Sequence, residues 1–311
     1  MEKPKVIVIE GPTASGKTAL SIELAKKING EIVSADSMQI YQEMNIGTAK
    51  PDEKEKQGIS HYVMDCIKPN ERFSVAQYQK EAKKAIQTIL EKGKIPIVVG
   101  GTGLYIDALL YEITYPEIET DLSYRKTLEE RVKAEGLEGL YQEAIQIDPD
   151  AMQKISKNDQ KRIMRVLEIY HQTGKTKTQL EKESRSEQIP YDYHVFAIKW
   201  EREELYSRIN QRVDNMIEKG LIEEVQALCQ KYKQFPTALQ GLGYKEVQAY
   251  LQGKATKEEM IEILKRETRR YAKRQMTWFR KNKQVIWLVG GSQNIQDNIA
   301  IILEDVYSER R

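Results

Sequence analysis

Residues 5 to 28, KVIVIEGPTASGKTALSIELAKKI, constrain the fold more than any other stretch of this chain. A short apolar run, VIVI (6–9), leads straight into Gly11-Pro12-Thr13-Ala14-Ser15-Gly16-Lys17-Thr18, and a helical pattern follows. That spacing, G-x-x-x-x-G-K-[ST], has its physical meaning only after a strand and before a helix, which is where it stands. The glycines permit a tight backbone, and the amides of the turn and of the helix start point at an anion. Lys17 adds a point charge, and the Thr18 hydroxyl is placed to hold Mg²⁺. A second TGKT at 173–176 lacks this context: Ile169 stands where the first glycine should be and a helical stretch precedes it, so a helix end is expected there.

Strand-like runs at 6–9, 31–35 and 95–100 alternate with helical stretches at 17–28 and 74–92, the rhythm of a parallel sheet. From 121 to 190 strand signals disappear and the pattern becomes charged and helical, with the breaker pair Asp148-Pro149 inside it. Strand signals return at 194–200 and 285–291, with helices at 202–231. The expected architecture is therefore an α/β fold: a P-loop NTPase-like parallel sheet core from 1–120 and 191–311, interrupted by a helical insertion domain at 121–190. Two cysteines without C-x-x-C spacing and three histidines cannot assemble a zinc module, which suits a reduced cytoplasmic enzyme. No apolar stretch has the length of a signal peptide or a membrane span, and a monomer is expected.

The formal charge is only +2, but it is unevenly spread. Segment 265–283 holds nine Lys or Arg, among them Arg269, Arg270 and Arg274, against the single acid Glu267. A stripe of this kind is either a nucleic-acid surface or a solvated helix face. The aromatics within it, Tyr271, Trp278 and Phe279, read as core. Near the P-loop, phosphoryl transfer would want an acid closing an apolar strand to hold Mg²⁺. The strand at 95–100 ends instead in Gly100-Gly101-Thr102-Gly103. The acid nearest the expected place is Asp36, just past the strand EIVSA, where α/β sheets bind ligands; as a local pattern it equally suits a helix N-cap.

Taken together, GPTASGKT, DSMQIY (36–41), IGTAKP (46–51), GGTGLY (100–105), NDQKRIMRVLEIY (158–170), LYSRINQRVDNMIEKGLIEEV (205–225) and LGYKEV (242–247) resemble the tRNA dimethylallyltransferases over nearly the whole chain. The resemblance implies transfer of a dimethylallyl group from dimethylallyl diphosphate to N6 of the adenosine 3′-adjacent to the anticodon, in tRNAs whose anticodon ends in adenosine. It implies that the P-loop grips a diphosphate that departs as a leaving group, with Lys17, Mg²⁺ at Thr18 and Arg208 or Arg212 neutralising it. Asp36 then resembles the family's general base and Thr102 a residue beside the reacting centre. Ser37, Met38 and Gln39 lie where the target base would be read. Lys161, Arg162 and Arg165 of the insertion, with Arg269, Arg270 and Arg274, would hold phosphates of the anticodon stem-loop. The family commonly pairs two histidines where this chain has His61-Tyr62, so no role is assigned to His61, and no appended zinc finger is present.

Rival readings are a small-molecule P-loop kinase, an adenylate isopentenyltransferase acting on free AMP or ADP, and a non-catalytic RNA-binding NTPase switch. The helical insertion and the basic stripe count against the first two, because a free nucleotide needs no such surface. The third leaves GGTGLY after DSMQIY without a purpose.

Overall fold

The computed structural model describes residues 3–115, 121–184 and 188–308. Six parallel strands form one sheet: β1 (Lys5–Glu10), β2 (Gly30–Ala35), β3 (His61–Tyr62), β4 (Ile95–Gly100), β5 (Asp192–Lys199) and β6 (Ile286–Val289), in the order β3-β2-β4-β1-β5-β6. β1 is central and, apart from its first residue, buried, which accounts for its unbroken apolar run. The sequence predicts five of these strands. It misses β3, whose two residues are too few to carry a periodicity and which pair with Ile32 and Val33 of β2.

Connections place helices on both faces. The first part of the chain supplies α1 (Lys17–Ile28), α2 (Glu53–Lys56), α3 (Val75–Glu91) and α4 (Gly103–Leu110). Gly16 at φ 90° turns the chain into α1, and Asn29 in the left-handed region ends it. Ser74 and Gln77 form a capping box that starts α3. One core layer packs Ile7 and Ile9 of β1 and Phe196 of β5 with Leu20 and Leu24 of α1 and, from the chain's end, Ile299 and Ile302.

The chain divides into two compact units, Met1–Leu110 with Ile189–Arg311, and Tyr111–Gln188. The sequence placed these divisions at 120/121 and 190/191, and residue 120 lies outside the described residues. The second unit comprises α5 (Leu122–Glu135), α6 (Glu138–Ile147), α7 (Pro149–Met152), α8 (Gln160–Thr173) and α9 (Lys177–Glu183), with a core of its own that includes Leu128, Leu140, Met152, Ile163 and Leu167. Asp148 explains the breaker pair: its buried carboxylate accepts from the Ala151 amide at 3.0 Å and from the Thr178 amide at 2.8 Å, capping α7 and tying α9 to it. Gly174, at φ 66°, closes α8 and Thr176 caps α9, so the second TGKT is a helix end.

The first unit continues with α10 (Arg202–Glu218), α11 (Leu221–Lys231), α12 (Tyr244–Leu251), α13 (Lys257–Phe279) and α14 (Ile295–Tyr307). Gly220, at φ 95°, separates α10 from α11. No helix among the described residues is long and apolar enough to cross a membrane.

Candidate active site

Strand register assembles the site. Glu10 of β1 and Ala35 of β2 both align with Gly100 of β4, so the residues that follow, Gly11, Asp36 and Gly101, emerge side by side at the carboxyl edge of the sheet. Gly100 has to lack a side chain there, because a Cβ would lie 2.1 Å from the Ala35 carbonyl oxygen. A cavity of about 1150 Å³ opens above this edge, lined by 13–18 of the P-loop, 36–39, Gly100, Gly101, Arg208, Arg212, Tyr271, Arg274 and Gln275.

The P-loop is shaped for an anion. Ala14 adopts φ 64° and the Ser15 amide returns to the Pro12 carbonyl at 3.2 Å. The first-turn amides of α1 have no helical acceptor. Ser15 is 2% exposed and its Oγ has no hydrogen-bond partner among the described residues, a cost that a phosphate oxygen would remove. Not every amide is available, however: Thr13 N–H donates to Gln275 Oε1 at 3.0 Å. Gly11 and Pro12 take part through their carbonyls, which accept from Lys17 Nζ at 2.8 and 2.9 Å. Burial, and next the Arg212 charge, lower the Lys17 ammonium to about 8, with Asp36 and Glu10 opposing them. An arriving anion would draw the ammonium off those carbonyls.

The two arginines differ. Arg208 lies against the Trp200 ring, 4.4 Å from its centroid, with Nε donating to the Ala14 carbonyl at 2.9 Å. Arg212 reaches the Thr48 carbonyl at 3.4 Å through Nη2, and burial lowers its guanidinium although Asp36 and Glu55 oppose this. Thr18 stands in the cavity lining at the start of α1. Among the described residues no group of three His, Cys, Asp or Glu side chains is arranged to hold a metal ion. The hydroxyl of Thr18 still fits Mg²⁺, which keeps several waters and is held by few protein oxygens together with substrate phosphates rather than by an all-protein cage.

Across the cavity, Asp36 does not cap a helix. Its Oδ1 accepts from the Met38 amide at 2.8 Å and more weakly from that of Gln39, closing a turn, and Oδ2 accepts nothing from the described residues. Thr102 Oγ1 accepts from the Ser37 amide at 3.0 Å and is 3.3 Å from Ser37 Oγ, joining the turn after β4 to the turn after β2. Met38 packs on Gly241, where a Cβ would come within 2.4 Å of its methyl carbon. The Gln39 amide is oriented by Ser34 Oγ on one side and the Thr48 and Ala49 carbonyls on the other.

Helix α13 forms one wall, and here the aromatic expectation needs correcting. Phe279 is core, at 1% exposure, but Tyr271 lines the cavity, with Thr102 and Gln275 near its phenol. Burial, with the Asp36 charge behind it, pushes its phenol up to about 12. Trp278 donates to Asp107 Oδ2 at 3.0 Å and covers Gly103. Of the three stripe arginines only Arg274 faces the cavity. Arg269 donates to Asn210 Oδ1 at 2.6 Å, and Arg270 pairs with Glu267 at 2.7 Å. Lys161, Arg162 and Arg165 belong to the second unit, where Lys161 and Arg162 are exposed and Arg165 pairs with buried Glu168.

Two residues escaped sequence reasoning. Gln275 bridges the P-loop to the Gly101 carbonyl, at 2.8 Å, and its only signal was a position on the inner, apolar side of a basic helix. Glu10, 3% exposed with Oε1 unpartnered among the described residues, showed only as a polar end to an apolar strand. Burial, then Asp107, raise its carboxyl to about 8 against the pull of Lys17.

A parallel sheet with a phosphate cradle after its first strand, facing a hydroxyl after the neighbouring strand β4 and a carboxylate after the next strand β2, defines a P-loop NTPase-like enzyme. The IPP transferase family profile matches residues 39–282, and the chain is 52% identical over 284 residues, 91% of each chain, to a tRNA dimethylallyltransferase of Acetivibrio thermocellus. The chain belongs to the IPP transferase family, as a prenyltransferase related to the tRNA dimethylallyltransferases. Another relative of that description, from Carboxydothermus hydrogenoformans, is 47% identical over 94% of each chain. Among solved structures, the full-length tRNA isopentenylpyrophosphate transferase of Bacillus halodurans is similar at TM-score 0.73 and 40% identity, covering 98% of this chain and 97% of that one. A eukaryotic dimethylallyltransferase acting on tRNA matches at TM-score 0.78 and 32% identity, over 99% of this chain and 82% of its own.

Proposed function

We propose that this enzyme transfers the dimethylallyl group of dimethylallyl diphosphate to N6 of the adenosine 3′-adjacent to the anticodon, in tRNAs whose anticodon ends in adenosine. The observation that carries this reading is that one cavity brings a diphosphate cradle (Ser15, Lys17, Arg212) together with a carboxylate free to take a proton (Asp36). The bond from the allylic carbon to the diphosphate oxygen breaks as the bond to N6 forms, and the N6 proton passes to Asp36. Lys17 and Arg212 hold the charge that develops on the departing diphosphate. Mg²⁺ held at Thr18 would share that neutralisation when bound. Thr102 fixes the turn that presents Asp36, Tyr271 lines the same cavity, and the Gln39 amide stands where an adenine edge can be read.

An adenine in an anticodon loop must leave its stack to enter, at a cost of a few kcal/mol that contacts to the RNA backbone have to offset. Arg274 at the cavity wall, the remaining α13 cations and the exposed Lys161 and Arg162 are suited to that. The test is incubation with labelled dimethylallyl diphosphate and bulk tRNA, with AMP and ATP as parallel acceptor and donor. Label in tRNA alone is the expected result. Label in AMP, or phosphate transfer from ATP without RNA, would overturn the reading.

A further inference from the structure

Three of the stretches that carry the family likeness contribute little to the chemistry above: 46–51, the end of 205–225, and 242–247. In the structure they converge on one carboxylate. Glu224 of α11 accepts from the backbone amides of Asn45 at 2.8 Å and Ile46 at 2.7 Å through Oε2, and from that of Gly47 at 3.1 Å through Oε1. The Tyr244 hydroxyl at the start of α12 donates to the same Oε1 at 2.7 Å. The fully buried Tyr244 ring lies flush on Gly47, where a Cβ would sit 2.5 Å from Cε2. Glycine is therefore required at 47 by the tyrosine, and the tyrosine is held by the glutamate.

The clasped loop is not remote from the cavity. Its next carbonyls turn inward: that of Thr48 accepts from Arg212 Nη2 and Gln39 Nε2, each at 3.4 Å, and that of Ala49 lies 3.5 Å from Gln39 Nε2. Lys50 secures the far end, donating to the Tyr41 carbonyl at 2.8 Å and pairing with Asp65. Three consecutive amides on one carboxylate fix the loop's height and pitch far better than a single bond would, and charge-assisted bonds of this type are about twice as strong as neutral ones. We propose that Glu224, backed by Tyr244, is a positioning residue: by gripping 45–47 it sets the Thr48 and Ala49 carbonyls that aim Arg212 at the leaving diphosphate and orient the Gln39 amide. The inference rests on the roles given to Arg212 and Gln39 in the functional reading.

The experiment compares wild type with Glu224→Ala, Glu224→Gln and Tyr244→Phe. It reads single-turnover rate at saturating tRNA and dimethylallyl diphosphate, affinity for inorganic diphosphate by calorimetry, and a melting curve. In folded Glu224→Ala the rate should fall about 10- to 100-fold, the scale of a displacement near 1 Å at reacting groups, and diphosphate should bind several-fold more weakly. Glu224→Gln keeps one acceptor oxygen and should lose less; Tyr244→Phe, losing one bond, should shift both readouts the same way. Combined with Gln39→Ala, the Glu224→Ala loss should be smaller than the product of the single losses, because one acts through the other. A clasp that served stability alone would lower the melting temperature and leave rate and diphosphate affinity at wild-type values below it. That result, or a product-like loss in the double variant, overturns the proposal. Should Glu224→Ala fail to fold, Tyr244→Phe decides by the same readouts. If wild type itself transfers nothing to tRNA, the functional reading fails on its own, and the diphosphate affinities still judge the clasp.

Discussion

Asp36 has two duties that one substitution separates. Its Oδ1 closes the turn to Met38, while Oδ2 is open to act on substrate. Asparagine keeps an acceptor for the Met38 amide, so Asp36→Asn should hold its melting temperature and its affinity for tRNA and diphosphate. Turnover should drop about 10²- to 10⁴-fold, the usual range for a lost proton acceptor. Single-turnover rates beside a binding titration check this, and near wild-type turnover would remove Asp36 from the chemistry. Glu10 gives a prediction about pH. Its carboxyl is held at about 8 against 4.5 in the unfolded chain, so the folded state binds the proton more tightly between those values. The associated stability is complete below pH 4.5 and is lost as pH rises through about 8. Glu10→Gln, neutral throughout, should melt near the parent at pH 4 and several degrees above it at pH 9, by a difference of up to about 5 kcal/mol. Parallel melting curves across pH would show it as a flattened profile.

At the scale of elements, α13 has two unlike faces. Leu264, Thr268, Ala272, Gln275 and Phe279 are buried against the core and the P-loop, while Arg266, Arg270, Lys273 and Arg274 are exposed. The basic pattern was legible because charges declare themselves in sequence. The inner role of Gln275 was not, since a glutamine on a helix carries no sign of which loop will approach it. Neutralising Arg269, Arg270 and Arg274 together should weaken tRNA binding and flatten its log-log salt dependence by about 0.7 to 0.9 per lost phosphate contact. Titrations at several salt concentrations give the slope, and an unchanged slope would leave these positions to Asn210, Glu267 and solvent.

For the whole molecule, the helical unit has its own core and its ends already meet: the Thr114 amide donates to the Ser184 carbonyl at 2.7 Å. Replacing 111–188 by a short glycine-serine linker should therefore leave the sheet unit folded, with diphosphate affinity near that of the parent, because every cavity-lining residue lies in that unit. Affinity for tRNA should fall at least tenfold if Lys161, Arg162 and Arg165 carry several phosphate contacts. Calorimetry with inorganic diphosphate and a tRNA titration on the same protein test both halves; full tRNA affinity would confine RNA binding to the sheet unit.

By itself the sequence determined what is local or periodic: the phosphate turn, the order of strands and helices, the helical insertion and the basic stripe. Each follows from short-range backbone preference or from a repeat of 2 or 3.6 residues, which the chain carries without its neighbours. Tertiary structure alone decided the rest. The register of three parallel strands put Gly11, Asp36 and Gly101 side by side, though they lie up to ninety positions apart. Packing brought Gln275 onto the P-loop, Tyr271 onto Thr102 and Glu224 onto the 45–47 amides, and burial moved Glu10 and Lys17 toward about 8 from opposite directions. Contacts between distant residues, and the desolvation they impose, have no one-dimensional signature, because they exist only once the chain has closed around them.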